Sequence, residues 1–255
     1  MSISCGIVGL PNVGKSTLFN ALTRADILAA NYPFATIEPN TGIVPVPDPR
    51  LDKLQELYKA EKIIPATVTF VDIAGLVAGA SKGEGLGNKF LDNIRKTDAI
   101  VHVVRAFEND DILRHDEAPV DPQADIEIIN TELILADLQT IEKHLPKLQK
   151  EAKAKPALRD TMTYLESLKR HLDEGTPLSA LPSLDEEAID DLHLLTAKPV
   201  IYAFNVDENT LTSSTAQREL ANLVAPAKSL FVCAKLEEEI KDLTEVEAQE
   251  LLSSY

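Results

Sequence analysis

Residues 9–16 read Gly9-Leu10-Pro11-Asn12-Val13-Gly14-Lys15-Ser16, an instance of G-x-x-x-x-G-K-[ST]. The chemistry dictates the residue types. Gly9 and Gly14 let the backbone turn so that its N–H groups can face phosphate oxygens. A helix beginning at Lys15 offers its positive end to the anion. Lys15 supplies charge to the β- and γ-phosphates, and the Ser16 hydroxyl is a magnesium ligand. Asn12, Val13, Gly14, Lys15, Ser16 and Thr17 are therefore the phosphate-side candidates.

The surroundings of the motif set the fold class. Before it, SISCGIVG (2–9) reads as a buried parallel strand, and after it KSTLFNALT (15–23) reads as a helix. Further strands are expected at 42–46, 67–73, 99–105, 199–205 and 229–233, with helices at 50–58 and 88–96. Strands alternating with helices predict an α/β fold, a mostly parallel sheet flanked by helices. Between 125 and 197 the pattern changes. Ile134, Leu138, Ile141, Leu145 and Leu148 form a heptad seam, and Leu158, Met162, Leu165, Leu168 and Leu172 a second stripe. The expectation is an inserted α-helical hairpin that turns at Lys155-Pro156, with Pro146 kinking or shortening its first helix. The two stripes either pack on each other or leave a seam for a partner helix. A loop over 173–187 is expected to end in an N-cap at Ser183. The domain reading is a discontinuous nucleotide-binding domain, 1–124 and 198–255, interrupted by the helical insert 125–197.

Asp72 stands at the end of a strand and opens Asp72-Ile73-Ala74-Gly75. An aspartate there, beside a phosphate loop, is placed to hold the magnesium shell. The Gly75 N–H can meet the γ-phosphate and register its loss. Thr36, in NYPFATIEPN (31–40), is the candidate for a switch hydroxyl that closes on magnesium, with Thr41 its rival.

Composition narrows the classes. The chain has 255 residues, and its 44% hydrophobic and 26% charged residues exclude a disordered or low-complexity protein. Its two cysteines, Cys5 and Cys233, rule against a disulfide scaffold and suggest a reducing compartment. No apolar run is long enough to span a bilayer. The formal net charge is −16, which by itself argues against a general nucleic-acid binder. Residues 1–100, however, carry ten acidic and ten basic side chains, so the excess lies beyond them. Within that acidic part Lys143, Lys147, Lys150, Lys153, Lys155 and Arg159 meet only Glu151. That stretch is either a solvated helix face or a basic arm tip compatible with docking on RNA.

The stretches GLPNVGKSTLFNALT, NYPF-T-EPN, DIAGLV-GASKGEGLGN and NVDE resemble the Obg-like ATPase family, the YchF branch of the Obg-related P-loop GTPases. The resemblance covers residue 1 to about 250. It implies a Ras-like P-loop domain with a helical arm, and a ribosome-associated, cytoplasmic role. It also implies a C-terminal TGS domain, which would begin beyond Tyr255. No membrane partner is expected, and the chain is expected to be a monomer.

Ordinary GTPases read guanine with N-K-x-D. Here the corresponding residues are Asn205, Val206, Asp207 and Glu208. Val206 replaces the lysine that would lie along the base, and Glu208 is one methylene longer than the aspartate. Both changes relax guanine preference; the resemblance extends this to ATP preferred, with GTP weaker. Asp207 has the wrong spacing from Asn205 to read the base. Cys233-Ala234-Lys235 resembles the S-A-K loop that closes on the base edge, although Cys233 reads equally well as a buried strand-end cysteine.

Leu76 follows Gly75 where Ras-like enzymes carry a water-orienting glutamine, and a leucine cannot polarise water. Slow intrinsic hydrolysis follows, or another group supplies the function. Asn12 can help bind potassium, as an asparagine does in related potassium-activated GTPases; His115 can fold over the γ-phosphate. Both stay open, and the expected cofactors are magnesium and, through Asn12, potassium. His102, inside an apolar strand, reads as a core histidine. Two other readings remain: a nucleotide-gated binding module with incidental hydrolysis, and a conventional GTPase.

Overall fold

A six-stranded sheet in the order β2-β3-β1-β4-β5-β6 forms the centre of the molecule. The structure, a computed structural model, describes residues 3–23, 40–73, 86–109, 112, 118–241 and 243–253. The strands are β1 (Ile3–Val8), β2 (Thr41–Pro45), β3 (Thr67–Asp72), β4 (Ala99–Ala106), β5 (Val200–Val206) and β6 (Lys228–Val232). β2 pairs antiparallel with β3 at one edge, and every other pairing is parallel. All six lie within a residue or two of their expected positions. Parallel pairing puts the C-terminal ends of β1, β3, β4, β5 and β6 on one rim, the place where open α/β sheets bind ligands.

The helices are α1 (Lys15–Thr23), α2 (Pro49–Tyr58), α3 (Leu86–Arg95), α4 (Pro122–Ala154), α5 (Leu158–Asp173), α6 (Glu186–Ile189), α7 (Glu208–Thr212), α8 (Ser214–Asn222), α9 (Ala234–Lys241) and α10 (Glu245–Leu252). Local signals start them. Asp48 caps α2 by accepting from the Arg50 N–H, with Pro49 in the first turn. Asp121 caps α4 in the same manner through the Ala124 N–H, followed by Pro122.

One core joins the sheet to α1, α3 and the start of α4, through Ile7, Leu10, Leu18, Ile94, Ile100, Ile129 and Leu133. The boundary expected at residue 125 therefore falls inside α4, whose first turns belong to the sheet's core. A second core fills the arm. Ile134, Ile141, Leu145 and Leu148 of α4 meet Leu165, Leu168 and Leu172 of α5, and Leu178, Ile189 and Leu192 cover them. The two stripes thus satisfy each other within this chain.

Two local expectations are corrected. α4 continues through Pro146 to Ala154, so Pro146 does not shorten it. Pro146 and Glu142, whose carbonyl loses its helical donor, both lie on the exposed face, where water can replace the missing bond. The cap near the end of the 173–187 loop is Asp185, which accepts from the Ala188 N–H at 3.2 Å, and not Ser183. A carboxylate adjacent to the helix is the better acceptor for its free N–H groups.

The arm returns to the sheet through a buried junction. Asp137, fully buried on α4, accepts from the Leu195 N–H at 2.8 Å and from the Thr196 N–H and Oγ1 at 2.7 Å. Burial pushes its carboxyl above the ordinary range, against the pull of those three donors. Lys198 donates to the carbonyls of Arg95 and Thr97, which ties the entry of β5 to the end of α3.

Candidate nucleotide site

The residues following β1, β4, β5 and β6 surround a cleft of about 620 Å³ on the rim. Asn12, Gly14, Lys15, Ser16 and Thr17 line one side. Asn205, Val206, Asp207 and Glu208 line another, together with Cys233, Ala234 and Lys235. The structure therefore brings together the phosphate-side and base-side candidates, from positions up to about 220 residues apart in sequence.

The turn between β1 and α1 is tightly specified. Asn12 adopts φ 61 and Gly14 φ 93, the left-handed region that L residues seldom occupy. A Cβ at Gly14 would lie 2.3 Å from Nδ2 of Asn205, and one at Gly9 2.5 Å from the Val103 carbonyl. Glycine is required at both positions by close approach. Lys15 is 7% exposed, and its Nζ donates to the Leu10 carbonyl at 2.8 Å. Burial lowers its pKa, while the nearby Asp72 charge opposes that shift.

Ser16 Oγ donates to Asp72 Oδ2 at 3.1 Å. The other carboxylate oxygen, Oδ1, is buried and has no hydrogen-bond partner among the described residues. A buried carboxylate oxygen facing nothing is costly. Its position beside a hydroxyl fits an oxygen-coordinated divalent cation. Thr36, Gly75, Leu76 and His115 lie outside the described residues.

On the base side the residues divide the work. Asn205, 5% exposed, donates from Nδ2 to the Val13 carbonyl and accepts at Oδ1 from the Ala234 N–H, both at 3.0 Å. The Ala234 N–H, in the loop expected to close on the base edge, is therefore committed to Asn205. Val206 touches the cleft but packs, 2% exposed, with Phe204 and Val224. Asp207 caps α7 by accepting from the Thr210 N–H at 2.7 Å, which accounts for an acidic residue at the wrong spacing to read a base. Glu208 faces Lys235 at 3.7 Å. Cys233 is both buried, packed with Leu236 and Ile240, and part of the cleft wall.

The sequence reading missed the third wall, formed by Phe107, Glu108, Asn109 and Ile112. Its signal was Arg105, a charge closing the apolar run AIVHVVR. His102 is buried against the Tyr202 ring, with centroids 5.2 Å apart, as expected of a core histidine. Among the described residues no helix is long and apolar enough to cross a membrane.

A glycine-rich turn from a parallel strand into a helix, with an aspartate at the next strand's tip, defines a P-loop nucleotide-binding protein. Residues 4–158 match the family described as 50S ribosome-binding GTPase. Ribosome-binding ATPase YchF of Haemophilus influenzae is 52% identical over 258 residues, covering 99% of this chain and 70% of its own length; that of Bacillus subtilis is 48% identical over 262 residues, covering 99% and 71%. The structure of the Schizosaccharomyces pombe YchF GTPase superposes with a TM-score of 0.81 at 39% identity, covering 99% of this chain and 71% of that one. The chain belongs to the YchF family.

Proposed function

We propose that the chain is a magnesium-dependent ATPase and nucleotide switch that works with the ribosome in the cytoplasm as a monomer, with GTP the weaker substrate and slow intrinsic turnover. The observation that carries this reading is Asp72. It accepts from Ser16, interacts with the phosphate-loop lysine, and keeps a buried oxygen with no partner among the described residues.

In this reading Lys15 binds the β- and γ-phosphates, with Gly14 and Thr17 beside it. Ser16, Asp72 and Thr36 hold magnesium, which when bound neutralises charge on the transferring phosphoryl group. The remaining magnesium ligands in this reading are phosphate oxygens and water. Gly75 registers the γ-phosphate. Asn12, with potassium, or His115 supplies what Leu76 cannot. Asn205, Val206, Glu208, Cys233 and Ala234 form the base side.

The relatives' names divide between ATPase and GTPase, so the choice of base rests on Glu208 and Val206 in place of Asp and Lys. The ribosome enters from the names of the relatives and from the arm, proposed to comprise residues 125–197. The six basic residues between Lys143 and Arg159 are all exposed around the junction of α4 and α5. They give an acidic protein one surface suited to RNA.

The test is calorimetry of ATP and GTP with and without magnesium, followed by turnover with and without ribosomes. Tighter ATP binding that needs magnesium, and a rate raised by ribosomes, is the expected result. A rate unmoved by ribosomes, with ribosome affinity that follows the bound nucleotide, would favour a nucleotide-gated binding module instead.

A further inference from the structure

Arg105 is the next-to-last residue of β4 and is 3% exposed. Its guanidinium donates from Nε to the Phe107 carbonyl at 3.2 Å, from Nη1 to the Ile112 carbonyl at 3.0 Å and from Nη2 to the Asn109 carbonyl at 3.2 Å. Its Cζ lies 4.7 Å from the centroid of the Phe107 ring. All three acceptors belong to one short segment, and Phe107, Asn109 and Ile112 all line the cleft. A planar fork of five donors can gather three carbonyls at once; an ammonium offers a single point. The Asn109 carbonyl also accepts from the Ile112 N–H at 3.2 Å, a turn-type bond that ties two of the acceptor residues to each other as well as to the guanidinium.

Register shows which end of the cleft this turn serves. Arg105 pairs with Asn205 and Ala106 with Val206 across β4 and β5. The turn therefore starts beside Val206 and Asp207, at the base side of the cleft. Two buried polar side chains on adjacent strand ends thus organise its walls. Asn205 ties the phosphate loop to Ala234, and Arg105 builds the wall facing them.

We infer that Arg105 is a positioning residue for the base and ribose of the bound nucleotide: it touches no ligand but fixes Phe107, Asn109 and Ile112, which do. The inference rests on the cleft being the nucleotide site. It predicts a split between two probes. ATP needs the whole cleft, whereas inorganic tripolyphosphate needs only the phosphate loop and magnesium.

The experiment compares the magnesium-loaded wild type with Arg105→Lys and Arg105→Gln. Arg105→Gln is neutral and does not require a point charge to be buried, so it serves if Arg105→Lys fails to fold. ATP affinity is measured directly, and tripolyphosphate affinity by competition. The expected result is ATP binding weakened about tenfold, consistent with loss of ordering hydrogen bonds, and tripolyphosphate binding unchanged. ATP affinity equal to wild type would overturn the inference. So would an equal loss for both probes, which marks a general structural role. A wild type that binds neither probe would remove the nucleotide-site reading itself.

Discussion

Asn205 reaches the Val13 carbonyl across 192 residues of sequence, with its Nδ2 3.0 Å away. Its Oδ1 accepts from the Ala234 N–H at the same distance, so one amide side chain fixes two loops of the cleft relative to each other. The fit extends to Gly14, where any Cβ would strike that amide. The second glycine of the phosphate motif thus answers a packing demand from β5 as well as the demands of a phosphate.

Replacing Asn205 with Ala should leave the Val13 carbonyl and the Ala234 N–H without partners in a buried setting. The expected cost is about 3 kcal/mol. For a chain of this size that lowers the thermal midpoint by about 5–10 °C. Nucleotide affinity should fall with it, because the phosphate loop loses its brace. Asn205→Asp should behave similarly, since a carboxylate cannot donate to Val13. Thermal melts and ATP titrations at wild-type values would show that the loops hold themselves.

Asp72→Asn tests the cation site from a different side. The amide keeps the shape but not the negative charge, and the buried, unpartnered Oδ1 no longer carries part of a full charge. Folding stability should be unchanged or slightly improved, while magnesium-dependent ATP affinity falls about 10–100-fold. Chelating magnesium should weaken the wild type but barely change the variant. Equal sensitivity to chelation in both proteins would move the cation away from Asp72.

The sheet, α1 and the arm were legible because their signals are local: alternation, a cap, a glycine, an apolar stripe every three or four residues. The phosphate loop was legible for the same reason. What was not legible depends on carbonyls or on distant contacts. Arg105 gathers three backbone carbonyls, and a carbonyl leaves no mark in a sequence. Asn205 read as a base contact, and its bond to Val13 appears only once β5 lies beside β1's loop. Asp137 carries no signal in the sequence, because its partners Leu195 and Thr196 meet it only through the returning chain. Pro146 leaves α4 at full length because its face is exposed, and exposure of one helix face to water is set by the fold.

That junction at Asp137 yields a prediction about the arm. Asp137→Ala should leave three buried donors without an acceptor, a loss of about 3 kcal/mol or more. Amide exchange should speed up at Leu195 and Thr196 first, while the seam of α4 and α5 stays protected by its own core. Uniform loss of protection across the arm would mean that the arm and the sheet unfold as one unit.

Glu208 decides the choice of base in the proposed reading, and its carboxylate stands 3.7 Å from Lys235. Lys235 is exposed and Glu208 partly so, so the pair contributes little to stability, and its effect should appear in selectivity. Glu208→Asp shortens the side chain, withdraws it from Lys235 and restores the carboxylate position of the guanine readers. The ratio of ATP to GTP affinity should fall, with the thermal midpoint unmoved. Val206 is the poorer target, because a lysine there would enter the cluster around Phe204 and Val224. An unaltered ratio in Glu208→Asp would place base selection elsewhere in the cleft.

His102 gives the pH dependence. Burial, and then the charge of Lys15, push its pKa from 6.5 down to about 3. In the folded protein the ring stays neutral across the physiological range; in the unfolded chain it takes up a proton below about 6.5. The unfolded state therefore binds more protons between those values, and stability falls as the pH falls. The contribution of His102 is complete above 6.5 and lost progressively towards 3, at no more than about 1.4 kcal/mol per pH unit. Asp98, held below the ordinary carboxylate range by its bonds from Ser4, adds acid sensitivity of its own, so the effect must be read as a difference. Urea midpoints of the wild type and His102→Phe at pH 7, 6, 5 and 4 supply that difference. The variant should lose less stability per pH unit from pH 6 downward. Parallel curves would mean that the ring accepts a proton inside the fold without penalty, against its position beside Tyr202 and Lys15.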